Sequence, residues 1–136
     1  MTQEYIRAGK VKLVYRHFAF LGPESQAAAE AVECAREQGR FWDYHDILFQ
    51  RQGRENSGAY AKDKLLAFGR ELGLNGEAFG SCLESGKYRQ RVQDDRQEGQ
   101  RMSVRSTPTF FIGNTKIEGN LPYERFRAVI EETLAR

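Results

Sequence analysis

The spacing of apolar residues changes period more than once along the chain. Residues 10–20, KVKLVYRHFAF, set Val11, Leu13 and Tyr15, then Phe18 and Phe20, at alternate positions. That rhythm, rich in β-branched and aromatic side chains, predicts a strand. Leu21-Gly22-Pro23 breaks it, and from Glu24 the apolar positions Ala27, Ala31, Cys34 and Ala35 fall on one helical stripe that Gly39 ends. Phe41 to Gln52 predicts a second helix with Phe41, Trp42, Tyr44, Leu48 and Phe49 around much of its circumference, a pattern expected of burial on more than one side. Leu65, Leu66, Phe68 and Leu72 mark a third helix, and Phe79, Cys82 and Leu83 a short fourth. Tyr88 to Arg101 is polar throughout and predicts a helix that shows most of itself to water. Period two then returns: Thr109 to Ile112 and Thr115 to Glu118 flank Gly113-Asn114, which predicts a hairpin. Pro122 suits the first turn of a last helix whose apolar face is Phe126, Val129, Ile130 and Leu134.

Composition narrows this picture by exclusion. The 136 residues suffice for about one domain with its own core. Twenty-one basic residues against 19 acidic ones, interleaved, offer no overall field for nucleic acid or an anionic membrane. No apolar run reaches the length of a membrane span. The opening MTQEYIRAGK lacks the features of a secretory signal, so the sequence taken literally is expected in the cytoplasm, where cysteines stay reduced.

Few residues carry candidate chemistry. The two cysteines, Cys34 and Cys82, each sit on an apolar helical stripe. Two buried free thiols and one structural disulfide both fit that placement. Neither setting suits a nucleophile, which needs exposure and nearby positive charge. His17, Cys34, His45 and Cys82 are metal-ligand types, but no two stand at ligand spacing, so no metal is expected. His45, among aromatic neighbours, reads as a hydrogen-bonded core residue; His17, at a strand end, reads as a surface one. No Gly-rich phosphate loop and no Gly-x-Ser-x-Gly elbow occurs.

Four stretches carry a resemblance. GKVKLVYRHFAF, AAEAVECAREQGRFWDYHDILFQ, FGSCLESGKY and VRSTPTFFIGNTKIEG resemble, in this order, a strand, two parts of the helical insertion, and the proline loop with its hairpin in DsbA-like thiol–disulfide oxidoreductases. The resemblance covers nearly the whole chain. It implies an α/β fold: an incomplete thioredoxin-like fold with an inserted helical domain. Residues 1–20 resemble the end of the active-site helix and one strand, 21–101 the helical insertion, and 102–136 the proline loop, hairpin and C-terminal helix. It further implies a cis bond between Thr107 and Pro108, a substrate-aligning role for Thr107, Pro108 and Thr109, and a disulfide between Cys34 and Cys82. The substrates implied are extended or cysteine-containing proteins outside the cytoplasm, in the periplasm or secreted, and no cofactor is needed. His17 and Ala19 stand where many relatives carry an acid and a proline.

The family's first strand and its Cys-x-x-Cys helix have no counterpart here. The expectation is therefore a truncated chain with no catalytic residue of its own, redox-inactive as it stands. A noncatalytic thioredoxin-fold module that binds peptides is the alternative, and a protein like the kappa-class glutathione transferases and isomerases is a third. In the family's arrangement the missing strand lies between the two that remain. Bare edges of that kind are costly. Either the remaining strands close the gap or a second chain covers it, and a homo-oligomer through residues 1–20 and the exposed sheet is expected.

Overall fold

The structure, a computed structural model, describes all residues from Met1 to Arg136. The chain divides into two compact units. One is His17–Glu98; the other joins Met1–Arg16 to Gly99–Arg136.

The His17–Glu98 unit is helical. It holds α1 (Pro23–Arg36), α2 (Phe41–Gln50), α3 (Lys62–Glu71), α4 (Gly76–Ser85) and most of α5 (Arg89–Arg101). Pro23 stands at the start of α1, where a missing N–H costs nothing. Eight consecutive residues of α1, Ala28 to Ala35, are buried, because this helix packs on α2, α3 and α4 together. Small side chains make that possible: alanines let neighbouring helices approach on several sides. Tyr44 of α2 is fully buried, packs with its ring tilted against Phe79 of α4 at a centroid distance of 5.4 Å, and donates its hydroxyl to the Leu65 carbonyl at 2.8 Å. Burial pushes the Tyr44 phenol well above its ordinary pKa. Gly69 of α3 lies where an added Cβ would come within 2.9 Å of the Phe79 ring, so the α3–α4 approach depends on glycine there. Asn75 caps α4 by accepting from the Ala78 N–H at 3.0 Å. Leu65, Phe68 and Val92 complete the buried apolar residues of the later helices.

The other unit begins with a π-helical turn, Thr2–Ile6. After α5 the chain forms β1 (Thr109–Ile112) and β2 (Thr115–Glu118), then α6 (Tyr123–Leu134). The strands pair antiparallel with Phe110 opposite Ile117 and Ile112 opposite Thr115. Gly113 turns the hairpin at φ +57°, a conformation that strains other residues. Period two then sorts the faces. Phe110 meets Phe126 of α6 edge to face at 4.8 Å, and Ile117, Phe126 and Val129 form a buried cluster with Met1, Phe110 and Ile112 packed against it. Tyr5 is fully buried and donates its hydroxyl to Glu131 Oε1 at 2.6 Å. That bond and the burial push the Tyr5 phenol up to about 12.

Three sequence expectations need correction. Residues 11–20 alternate as a strand does but form no ladder: the sheet contains β1 and β2 alone, so the gap is not closed by direct pairing. Alternation specifies which side of a segment is buried, whereas a strand also needs a neighbour to hydrogen-bond. His17 is not at the surface; it is 5% exposed. The α2 helix is less enclosed than its aromatic content suggests, with Trp42 46% and Phe49 60% exposed. His45 lies between these rings, half-buried, and bonds Asp46 Oδ1 at 2.9 Å. No helix is long and apolar enough to cross a membrane.

Candidate functional site

The proline loop is built by what precedes and follows it. The α5 helix ends at Arg101, and Ser103, at φ +58°, turns the chain out of it. Two backbone bonds close that end, Ser103 N–H to Gln100 O at 3.0 Å and Val104 N–H to Gly99 O at 2.9 Å. The Lys116 ammonium of β2 donates to the Ser103 carbonyl at 2.6 Å and lies 2.7 Å from Glu118. Arg105 through Pro108 are exposed, and the Thr107–Pro108 peptide bond is cis. The Thr109 hydroxyl donates to the Ser106 carbonyl at 2.7 Å, and the Pro108 carbonyl accepts from the Gly119 N–H at 2.8 Å. The turn is thus pinned on both sides while its outer surface faces solvent.

The ladder also fixes where the loop's free backbone groups point. Pro108 and Gly119 form a hydrogen-bonded position, so alternation makes Thr109 and Phe111 the positions whose N–H and C=O point away from β2. No strand occupies that edge of β1. Thr109 and Phe111 share one face, and Phe111 is 44% exposed, opposite Lys116. The sequence singled out Thr107, Pro108 and Thr109; the exposed Phe111 ring extends that surface on the Thr109 face.

Cys34 of α1 and Cys82 of α4 are joined, with sulfurs 2.06 Å apart and Cα atoms 5.9 Å apart. Both are buried, so neither presents a thiolate to a partner. The bond ties two helices of the His17–Glu98 unit, while the loop with Thr107, Pro108 and Thr109 belongs to the other unit. No cluster of three or more His, Cys, Asp or Glu residues is arranged to hold a metal.

One polar group escaped sequence reasoning. Glu33, 1% exposed on α1, accepts a 2.7 Å hydrogen bond at Oε1 from His17 Nε2 and a 3.0 Å bond from Arg36. Its Oε2 accepts no hydrogen bond but lies 3.5 Å from Arg91 Nε, a charge contact without bonding geometry. Burial alone pushes the Glu33 carboxyl up; the His17 hydrogen bond and the nearby charges of His17, Arg36 and Arg91 outweigh it and hold the carboxyl below its ordinary range. The His17 backbone N–H donates to Asp95 Oδ2 of α5 at 3.0 Å. The network clips His17 to α1 and α5. A signal for it existed in AAAEAVECA: a run of small residues buried all round must also bury any carboxylate inside it.

The thioredoxin family's sequence model, described as Thioredoxin, matches residues 1–132. The chain is 31% identical over 127 residues to the Na(+)/H(+) antiporter NhaA 1 of Salinispora arenicola, a match covering 92% of this chain and 19% of the antiporter. It is 26% identical over 140 residues to the probable disulfide bond formation protein D of Bacillus cereus, covering 100% of this chain and 64% of that protein. The crystal structure of oxidised BdbD from Bacillus subtilis shares the fold with a TM-score of 0.88 at 24% identity, covering 99% of this chain and 75% of that one. The chain therefore spans less than two thirds of the disulfide bond formation protein and about a fifth of the antiporter. An almost full-length family match, a hairpin after a proline turn and an inserted helical unit agree: the chain belongs to the thioredoxin family and has a DsbA-like fold.

Proposed function

We propose that residues 1–136 supply the substrate-aligning part and the helical insertion of an oxidoreductase that forms or reshuffles disulfides in other proteins. Its redox pair comes from chain outside these residues. Thr107, Pro108 and Thr109 align an extended, cysteine-containing segment, and residues 21–101 form the insertion. The observation that carries this reading is the exposed cis Thr107–Pro108 turn, pinned on both sides with its outer surface toward solvent. An extended segment can pair through its own backbone with the exposed chain of such a turn, while side-chain contacts choose among segments. Cys34 and Cys82 are structural, and with no exposed thiolate these residues perform no thiol exchange alone. The work is extracytoplasmic, where disulfides persist. Leu13 and Val14, 45% and 60% exposed, provide a surface for self-association.

The test is the intact mass of the native product after labelling its free thiols. The expected product is heavier than 15.6 kDa and carries two additional cysteines at two-residue spacing. A product of 15.6 kDa with two cysteines overturns the oxidoreductase reading. A noncatalytic peptide-binding module then takes its place. The observation favouring that second reading is that the only cysteine pair in these residues is buried and already bonded.

A further inference from the structure

The near-neutral total conceals an uneven distribution of charge. The unit of Met1–Arg16 and Gly99–Arg136 contains ten basic and five acidic residues, a net +5. The His17–Glu98 unit contains eleven basic and fourteen acidic residues, a net −3. The acids of the basic unit are, moreover, mostly engaged. Glu4 lies 3.6 Å from Arg127 and accepts from the Tyr123 hydroxyl; Glu118 lies 2.7 Å from Lys116; Glu131 accepts from Tyr5; Glu132 lies 2.6 Å from Arg136.

The imbalance is sharpest at the proline loop. From Gly99 to Ile117 there is no carboxylate, while Arg101, Arg105 and Lys116 lie in that span. Arg101 and Arg105 are exposed and flank the turn from Met102 to Val104. The charge of Arg105 reaches Glu118, the residue opposite Thr109, and helps hold that carboxyl below its ordinary range, after the larger effect of Lys116. Lys116 stands opposite Phe111, which presents an apolar ring on the same face as Thr109.

We infer that this loop selects acidic substrates: extended protein segments carrying Asp or Glu beside an apolar residue. The inference rests on the peptide-aligning reading above and adds substrate class to it. An acidic segment along the proline loop meets the Arg101 and Arg105 charges, while its apolar side chain covers Phe111. A basic segment meets like charge at both arginines. Such complementarity acts mainly on specificity and encounter rate and is screened by salt.

The test uses residues 1–136 and three extended peptides that share one cysteine-containing apolar centre and differ only in Glu, Gln or Lys flanks. Affinity is measured by calorimetry, and backbone amides are followed by NMR. The expected result is a Glu-flanked peptide binding about tenfold tighter than the Lys-flanked one at about 0.1 M salt, with the ratio near one at about 1 M, where the screening length falls to roughly 3 Å. Arg105→Glu combined with Arg101→Glu, at exposed positions, reverses the order; Arg105→Gln only narrows it. Equal affinities with amide shifts at Ser106–Phe111 overturn the acidic preference and leave peptide alignment standing. No binding by any peptide overturns both.

Discussion

The two units are stabilised by different means. The His17–Glu98 unit spends its interior on rigidity: a disulfide between α1 and α4, a buried carboxylate held by His17 and two arginines, and a tyrosine hydroxyl bonded inside the core. The proline-loop unit has one apolar cluster, centred on Ile117, Phe126 and Val129, behind a hairpin of four residues per strand. Its outer side presents a cis-proline turn, unpaired backbone groups and excess positive charge. The contrast teaches where each task sits. One unit is fixed internally and offers no reactive thiol; the other keeps its uncommitted groups at the surface.

Removing the disulfide breaks that contrast most severely. Closing a loop between residues 48 apart stabilises by about 4 kcal/mol in the chain-entropy description. The double change Cys34→Ala, Cys82→Ala is expected to cost about that much in denaturant unfolding. Hydrogen-exchange protection should fall in α1 and α4 well before it falls in β1 and β2. Equal loss in both units contradicts their separate stabilisation.

The reciprocal change is Phe126→Ala. Phe126 is 5% exposed and meets Phe110 edge to face, so truncation leaves a cavity costing about 3 kcal/mol. Here the hairpin and α6 should lose protection first, with the disulfide-tied helices retaining theirs. A smaller loss, about 2 kcal/mol, is expected for His17→Ala, which removes the shortest hydrogen bond to a carboxylate that stays buried. Thermal unfolding of that variant should show the deficit, and Arg36→Ala, at a half-exposed partner, should lose less.

The smallest effect is a pH dependence confined to the helical unit. The Glu33 carboxyl is held below its ordinary value of 4.5, so its contribution is fully present above that value. It is lost as pH falls through the lower folded value. Glu33→Gln should therefore flatten the acid limb of the stability profile below about pH 4.5. An acid limb unchanged in the variant assigns that limb to other carboxylates.

The order of elements was legible in the chain because period and punctuation reported it directly. The hairpin at 109–118 follows from alternation about Gly113-Asn114, and α6 from Phe126, Val129 and Ile130 after Pro122. The loop at Thr107–Pro108 was legible through its resemblance to a family, since the residues alone do not specify a cis bond. Three features were not legible, each for a physical reason. Residues 11–20 carry a strand's pattern, but pairing depends on a neighbour that local sequence cannot supply. His17 and Glu33 are sixteen positions apart, and their meeting is decided by helix packing. The charge imbalance vanished in the whole-chain total and emerges once the contact between distant segments defines the units.

The central claim, that the proline loop aligns extended protein substrate, is tested most directly by titrating the 15N-labelled protein with an uncharged, cysteine-containing extended peptide. The account predicts saturable amide shifts concentrated at Ser106–Phe111, weakened at least several-fold by Pro108→Ala, with the helices α1 to α4 undisturbed. Shifts centred elsewhere, or binding indifferent to Pro108→Ala, contradict it.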